Sequence, residues 1–276
     1  MESPREARQS SLAVGIDVGG TKIAAGIVDL ASGRVRERAQ VPTLPERGGA
    51  AVLRDCVALA ERLGGRELPV GVGLCELVDL DRRPASADTI DWRDIDLAVA
   101  IDCPRLVVES DVRAAALAEA RFGAGLGRSP FLFVIVGTGA SACLVVDGRP
   151  YAGAHGRAVV LGAPPVEAVA SGRSLALAAG LKGAEDVVAN PAHAALVEKA
   201  AAALGGVLAV LANALDPELI VLGGGLGSEP AFRERVAASC RSLLAYQSTP
   251  ALEIVGSALP DGGIVGAALC AGAGFG

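Results

Sequence analysis

The sequence predicts an α/β protein built from two halves of related design. Three observations carry that reading. An apolar run, Leu12 to Ile16, ends at Asp17 and Gly19-Gly20, and a second apolar run follows, Ile23 to Val28, closing at Asp29. The same pattern returns as Phe131 to Val136, Gly137-Thr138-Gly139 and Ala142 to Val146, closing at Asp147-Gly148. A third strand-like run, Leu219 to Leu222, leads into Gly223-Gly224-Gly225. Strand, glycine turn and strand make a β-hairpin, and two copies of one pattern point to a duplicated architecture.

The remaining elements follow in order. Ser32-Gly33 turns the chain into a third strand, Arg34 to Val41, and Pro42 and Pro45 mark a loop. Ala50 to Leu63 has the spacing of an amphipathic helix stopped by Gly64-Gly65. Pro69 to Leu74 is a buried strand. Asp79 to Asp96, with the only tryptophan, Trp92, is polar and irregular and is expected to border a cleft. Ile95 to Ile101 is a short helix and Leu106 to Glu109 a strand, after which Ser110-Asp111 opens a helix running through Arg121. Gly123 to Gly127 is a crossover, where the domain boundary is placed. In the second half, Tyr151 to Gly156 is a turn-rich loop, and Val166 to Ala179 reads as loop then helix, with Ser171-Gly172 near the helix start. Asp186 to Leu215 holds two helices. The second, capped by Asn190-Pro191, is apolar almost all round and is expected to be buried. A helix over Glu229 to Tyr246, a strand over Leu252 to Ser257 and a small-residue helix over Ile264 to Ala271 complete the chain.

Composition narrows the function classes. The 276 residues suit one large or two modest domains, and 51% apolar with 3% aromatic content implies a core of small aliphatic side chains. A net charge of -6 without a basic block argues against nucleic acid. Six cysteines stand singly with no Cys-x-x-Cys pair, as free thiols in a reducing cytoplasm would. Met1 to Ser11 is polar, so a disordered tail is expected there and no signal peptide. The apolar stretches break before about 18 residues, so no membrane span is expected.

Glycines at a hairpin tip let phosphate oxygens approach bare backbone N–H groups. In the first hairpin Thr21 adds a hydroxyl, Lys22 a cation, and Asp17 a carboxylate able to hold Mg²⁺ directly or through water. A single such hairpin is more simply a plain turn with a solvated acid. Three strand-then-glycine sites weigh against that account: facing halves can grip one polyphosphate, and the third cluster leaves backbone open to a base and ribose. Neither a GxxxxGK[ST] loop nor a Gly-x-Gly-x-x-Gly turn after a first strand occurs, which disfavours P-loop and dinucleotide sites. Asp111, between an apolar strand and a helix start, is either an N-cap or a fixed base; position alone leaves both open. His155 and His193 have no partners at ligand spacing.

Asp17-Val18-Gly19-Gly20-Thr21-Lys22, Glu109-Ser110-Asp111, Gly137-Thr138-Gly139 and Leu222-Gly223-Gly224-Gly225 come in the order and spacing of the ROK family. The chain resembles that family, which groups bacterial sugar kinases with sugar-responsive repressors, from about Ala13 to Leu269. The resemblance implies an actin-like ATPase / RNase H-like fold of two lobes with a nucleotide cleft between them. The lobes would be residues 12–122, with a C-terminal helix over 264–274 packing back on them, and residues 123–263. It further implies ATP and Mg²⁺ as cofactors, Asp17 as the magnesium residue and Asp111 as catalytic base. Gly19, Gly20, Thr21, Lys22, Gly137, Thr138, Gly139, Gly223, Gly224 and Gly225 would hold the nucleotide, and a homodimer is implied. The repressors' helix-turn-helix has no counterpart in the dozen or so residues before the first strand.

One departure from the family pattern falls on the phosphate side, where Ala140-Ser141-Ala142 replaces Ile-Gly-Gly and narrows the turn. The others fall on the sugar side, where Ser110 replaces Asn. Val160-Leu161-Gly162-Ala163 stands where the family has Glu-x-Gly-His, and the accompanying cysteine cluster is missing, so no zinc site is expected. Cys75-Glu76 replaces Pro-Gly, and Asp88-Thr89 replaces Pro-Asn. Glu167, before Ala170-Ser171-Gly172, fits the last glutamate of the family's zinc segment. A hexose pocket pairs each hydroxyl with a placed partner, and losing several costs a few kcal/mol. The expectation is therefore an ATP-dependent kinase of a sugar, amino sugar or cyclitol other than ordinary glucose, with Glu76, Asp88, Thr89, Ser110, Asp111 and Glu167 on the acceptor. A non-catalytic nucleotide- or metabolite-binding regulator and a polyphosphate-using kinase are the alternatives.

Overall fold

In the computed structural model the described residues are 11–159, 161, 164–245 and 251–272. The N-terminal segment 1–10, residues 160, 162 and 163 of the zinc-segment counterpart, and Tyr246 lie outside them. The chain begins with β1 (Leu12–Val18) and β2 (Lys22–Asp29), then β3 (Arg34–Pro42), α1 (Gly49–Arg62), β4 (Val70–Leu74), α2 (Leu97–Ala100), β5 (Leu106–Ser110) and α3 (Asp111–Phe122). It continues with β6 (Phe131–Val136), β7 (Ala140–Val146), β8 (Arg149–Pro150), α4 (Pro164–Ala170), α5 (Gly172–Ala179), α6 (Ala184–Ala189) and α7 (Ala194–Leu215). Last come β9 (Leu219–Gly223), α8 (Gly224–Ser228), α9 (Pro230–Ser242), β10 (Glu253–Gly256) and α10 (Gly262–Ala271).

Two five-stranded sheets result, in the orders β3-β2-β1-β4-β5 and β10-β9-β6-β7-β8. In each, three antiparallel strands are followed by two strands parallel to the first. The pattern repeated in the sequence is thus a repeat of topology. One compact unit takes the chain up to Phe122, the segment Ala152–Arg157 and the residues from Leu259; the other takes Gly123–Tyr151 and Ala158–Ala258.

The first unit's sheet has one large and one small face, because side chains alternate along a strand. Val14, Ile16, Val18, Val70, Val72 and Leu74 fill the large face and pack with Val52, Cys56 and Leu59 of α1. The opposite positions, Ala13, Gly15, Gly71 and Gly73, are small, and there α3 and α10 lie. A Cβ at Gly15 or Gly71 would overlap the carbonyl oxygen of Ile264 or Ala267, and one at Gly266 that of Ala114. Glycine therefore brings α10 into backbone contact with β1, β4 and α3.

In the second unit Leu132, Val134 and Val136 of β6 meet a core drawn from α4 to α9. Three expectations are corrected here. The stretch before Ser171 is helix α4 rather than loop, and Ser171 then caps α5 by accepting from the Ser174 N–H at 3.2 Å. Strand β7 starts at Ala140, two residues before the expected start, with Ala140 and Ser141 paired to Val136 and Ile135. Helix α9 ends at Ser242, short of the span expected. Helix α7 differs in burial: Leu204, Leu208 and Ala212 are sealed in the core, yet Val210 on the opposite face is 67% exposed. With its 3-10 turn it spans Pro191–Leu215, long and apolar enough by length and composition to cross a bilayer, which the sequence was not expected to contain. Its buried face packs on α4, α5 and α9.

The glycine contacts predict a measurable outcome. Gly71→Ala should cost about 3 kcal/mol by overpacking, read as a lower melting temperature. Gly225→Ala should leave that temperature unchanged, because a Cβ there meets nothing.

Candidate active site

The parallel strands of the first unit end in a row of polar residues. Register places Asp17 of β1 beside Gly73 of β4, and Gly73 beside Glu109 of β5. All three belong to the small face, and Gly73 packs beside the backbone of Asp111, which opens α3. Open α/β sheets bind ligands at such carboxyl ends.

Asp17 and Asp111 each keep some surface open to solvent while protein surrounds them on most sides. Burial pushes the Asp17 carboxyl up to about 6, against the pull of the Lys22 ammonium and with a further push from Asp261. Burial also pushes Asp111 up to about 7, and the neighbouring charges of Asp17 and Glu76 add to it, while the Val112 N–H, donating to Oδ1 at 2.6 Å, opposes it. The first turn of α10 lies against Asp17, and a Cβ at Gly263 would overlap its carboxylate.

Around this pair the backbone is held by buried side chains. Thr43, fully buried, donates its hydroxyl to the Gly19 carbonyl at 2.6 Å and its N–H to the Thr21 carbonyl at 3.0 Å, which clamps the first glycine turn from both sides. Thr21 and Lys22 are exposed at its tip. Arg113, also buried, donates Nε to Glu109 at 2.6 Å and its two terminal nitrogens to the carbonyls of Gly156 and Val78 at 2.6 and 2.7 Å. Arg82 adds a second ion pair to Glu109. Two loops are thereby tied to the junction of β5 and α3, where Asp111 lies.

The candidate acceptor residues of this unit divide into two sorts. Asp88 and Thr89 are exposed, whereas Ser110 is buried and Glu76 is only 4% exposed. Rather than standing open to a ligand, the Glu76 carboxylate accepts the N–H groups of Asp88, Thr89 and Ile90 at 2.9, 2.7 and 2.8 Å and the hydroxyl of Ser86. A carboxylate has about four acceptor sites, and these bonds occupy them. The Glu76 carboxylate thus spends its acceptors inside the protein.

The second unit brings the other candidates together. The Gly137 N–H donates to the Gly139 carbonyl at 2.9 Å, and the Gly172 N–H to the Gly137 carbonyl at 2.7 Å. Glu167, exposed on α4, aims its carboxylate at Gly139, where a Cβ would sit 2.5 Å from Oε1. Gly224, in the left-handed region at φ 79°, lies against the backbone of Val136, so the Gly223–Gly225 cluster adjoins the Gly137 turn. Gly137 itself has ordinary φ, and a Cβ there would meet nothing.

Thr43, Arg113 and Gly263 escaped the sequence reading. The only signals were a Thr directly after the Pro that ends β3, an Arg on the buried face of a helix, and a Gly-Gly pair at a helix start. The fit of the residues to magnesium rests on Asp17, since magnesium is bound through one or two carboxylates plus phosphate oxygens. Among the described residues no group of three or more His, Cys, Asp or Glu could hold a metal by itself.

The raised carboxyls bear on stability. Both favour the fold fully below about pH 4, and that contribution is lost as pH rises through about 6 and 7. Asp111→Asn should therefore raise the melting temperature at pH 8 and leave it nearly unchanged at pH 4, as thermal melts across pH will read.

Comparison with known proteins agrees with this geometry. The ROK family model matches residues 13–171 and 164–273. The glucokinase of Halalkalibacterium halodurans is 30% identical over 264 residues, covering 77% of this chain and 80% of its own length. A match to the glucokinase of Streptomyces coelicolor, 35% identical, covers 55% of this chain and 49% of that protein. The N-acetylgalactosamine kinase of a Shewanella strain is 30% identical over 77% of this chain and 81% of its own. Among solved structures, a ROK family glucokinase from Streptomyces griseus in complex with glucose and AMPPNP superposes with a TM-score of 0.83 at 27% identity, covering 94% of this chain and 99% of that one. The chain belongs to the ROK family and has its actin-like ATPase fold.

Proposed function

We propose that the protein is an ATP-dependent kinase that moves the γ-phosphoryl group of ATP to a hydroxyl of a sugar, amino sugar or cyclitol. The observation that carries this reading is the pairing of Asp111 with Asp17 at the carboxyl ends of β5 and β1, on the face made of small residues. A fixed carboxyl whose proton affinity lies near neutrality suits a general base. The acceptor oxygen forms its bond to the γ-phosphorus as the bond to the β–γ bridging oxygen breaks. ADP leaves with that electron pair, and the hydroxyl proton passes to Asp111. The transition state is loose, so the base is needed late and positioning counts most. Magnesium held by Asp17 would supply charge neutralisation of the phosphates.

Gly137 supports phosphate binding in the second unit. Neither its φ nor its surroundings require glycine, so the bare backbone is of use to a ligand rather than to the fold. Gly139 and Gly223 to Gly225 stand beside it for the rest of the nucleotide, and Thr21 and Lys22 serve the first turn. The names of the relatives support a sugar acceptor. Asp88, Thr89 and Glu167 are the side chains left to choose it. A cytoplasmic homodimer goes with this reading.

ADP release across glucose, amino sugars, N-acetylated amino sugars and cyclitols, with ATP and polyphosphate compared as donors, tests it. Asp111→Ala should lower kcat by about a hundredfold or more, and activity surviving that change removes Asp111 as base. For the active pair, kcat/KM should fall about tenfold per pH unit below an acid limb between about 6 and 7. A protein that melts higher with ATP but turns over no compound would instead be a binding regulator.

A further inference from the structure

The segment between β4 and α2 has almost no regular structure. Its one β-bridge joins Val78 and Pro84. Backbone N–H groups in such a stretch need partners from elsewhere. Three consecutive ones, on Asp88, Thr89 and Ile90, converge on a single side chain, the carboxylate of Glu76. Ser86 completes the set: its hydroxyl donates to Glu76 and accepts the Leu77 N–H at 2.9 Å. Beyond Ile90 the chain is anchored by apolar burial, Ile90 being 1% and Trp92 3% exposed. Asp88 and Thr89 are thus the exposed crest of a loop fixed on both sides. Glu76 stands two residues past Leu74, which pairs with Ser110, the residue before Asp111. The crest is therefore tied to the strand end next to the proposed base.

We propose that Glu76 is a positioning residue for the acceptor: its buried carboxylate welds residues 86–90 to the end of β4 and so sets where Asp88 and Thr89 stand beside Asp111. This rests on the kinase reading above. Specificity on this side then comes from an internal carboxylate that does not itself meet the substrate. Removing it leaves three adjacent N–H groups without an acceptor at a nearly closed site, and the crest must move to reach water. The nucleotide turn is held separately, by Thr43, so the effect should fall on the acceptor and spare ATP.

Glu76→Gln tests this. Glutamine keeps the volume but offers one acceptor oxygen and an NH₂ group to four donors. Amide hydrogen exchange at Asp88, Thr89 and Ile90 should accelerate about tenfold or more, and acceptor KM should rise by a similar factor while the KM for ATP stays within about twofold. Glu76→Asp, which keeps both oxygens on a shorter arm, should fall between Glu76→Gln and the unsubstituted protein. If Glu76→Gln does not fold, Ser86→Ala removes one of the four bonds and should shift acceptor KM in the same direction by a smaller factor. Exchange that is unchanged at the three amides, or KM values for acceptor and ATP that rise together, overturns the role of Glu76. An unsubstituted protein that phosphorylates no compound of the panel overturns the kinase reading instead, a result the exchange measurement keeps separate.

Discussion

Close contact between backbone and backbone in the first unit is the constraint on which the site depends. Helix α10 reaches β1 and β4 only because Gly15 and Gly71 carry no side chain, and reaches α3 only because Gly266 carries none. Any larger residue would lift the helix off the sheet, and interiors packed to crystal density do not absorb such a shift. The same contact brings Gly263 against Asp17. The small face of the sheet is therefore both the packing surface for two helices and the floor on which the carboxyls stand.

That arrangement costs stability where chemistry needs it. Burial raises the cost of ionising both Asp17 and Asp111, and the charge of Asp17 adds to it at Asp111. On the proposed function, the cations and donors of a bound nucleotide–metal complex would relieve that cost. Glu109, by contrast, is a buried acid fully matched by Arg113 and Arg82. Glu109 stands two positions before Asp111, and it is the matched acid that builds the frame.

Strands were legible because their apolar runs are bounded by glycine, proline or acid. β6 spans the very residues expected, and β1 and β5 differ by a residue or two at their ends. The duplication was legible for the same reason, since one grammar of strand, glycine and strand recurs. Side chains that act on distant backbone were not. Glu76 bonds residues 12 to 14 positions ahead in a stretch with no period, and nothing in its neighbours distinguishes a weld from a ligand contact. Thr43 and Arg113 are of the same kind. The exposed face of α7 was missed because composition alone does not tell a helix covered all round from one covered on a single side.

Chain order gives α10 a last consequence. Its partners β1 and β4 are made some two hundred residues earlier, while the second unit is nearly continuous in sequence. On a ribosome the second unit can close before the first one does. Until residues 262–271 emerge, the glycine-lined side of β1 and β4 lacks one of its two helices, and the early product is a sheet with one half-covered face. Synthesis of the final helix is then the event that completes the older half of the molecule and brings Gly263 up to Asp17 for the first time.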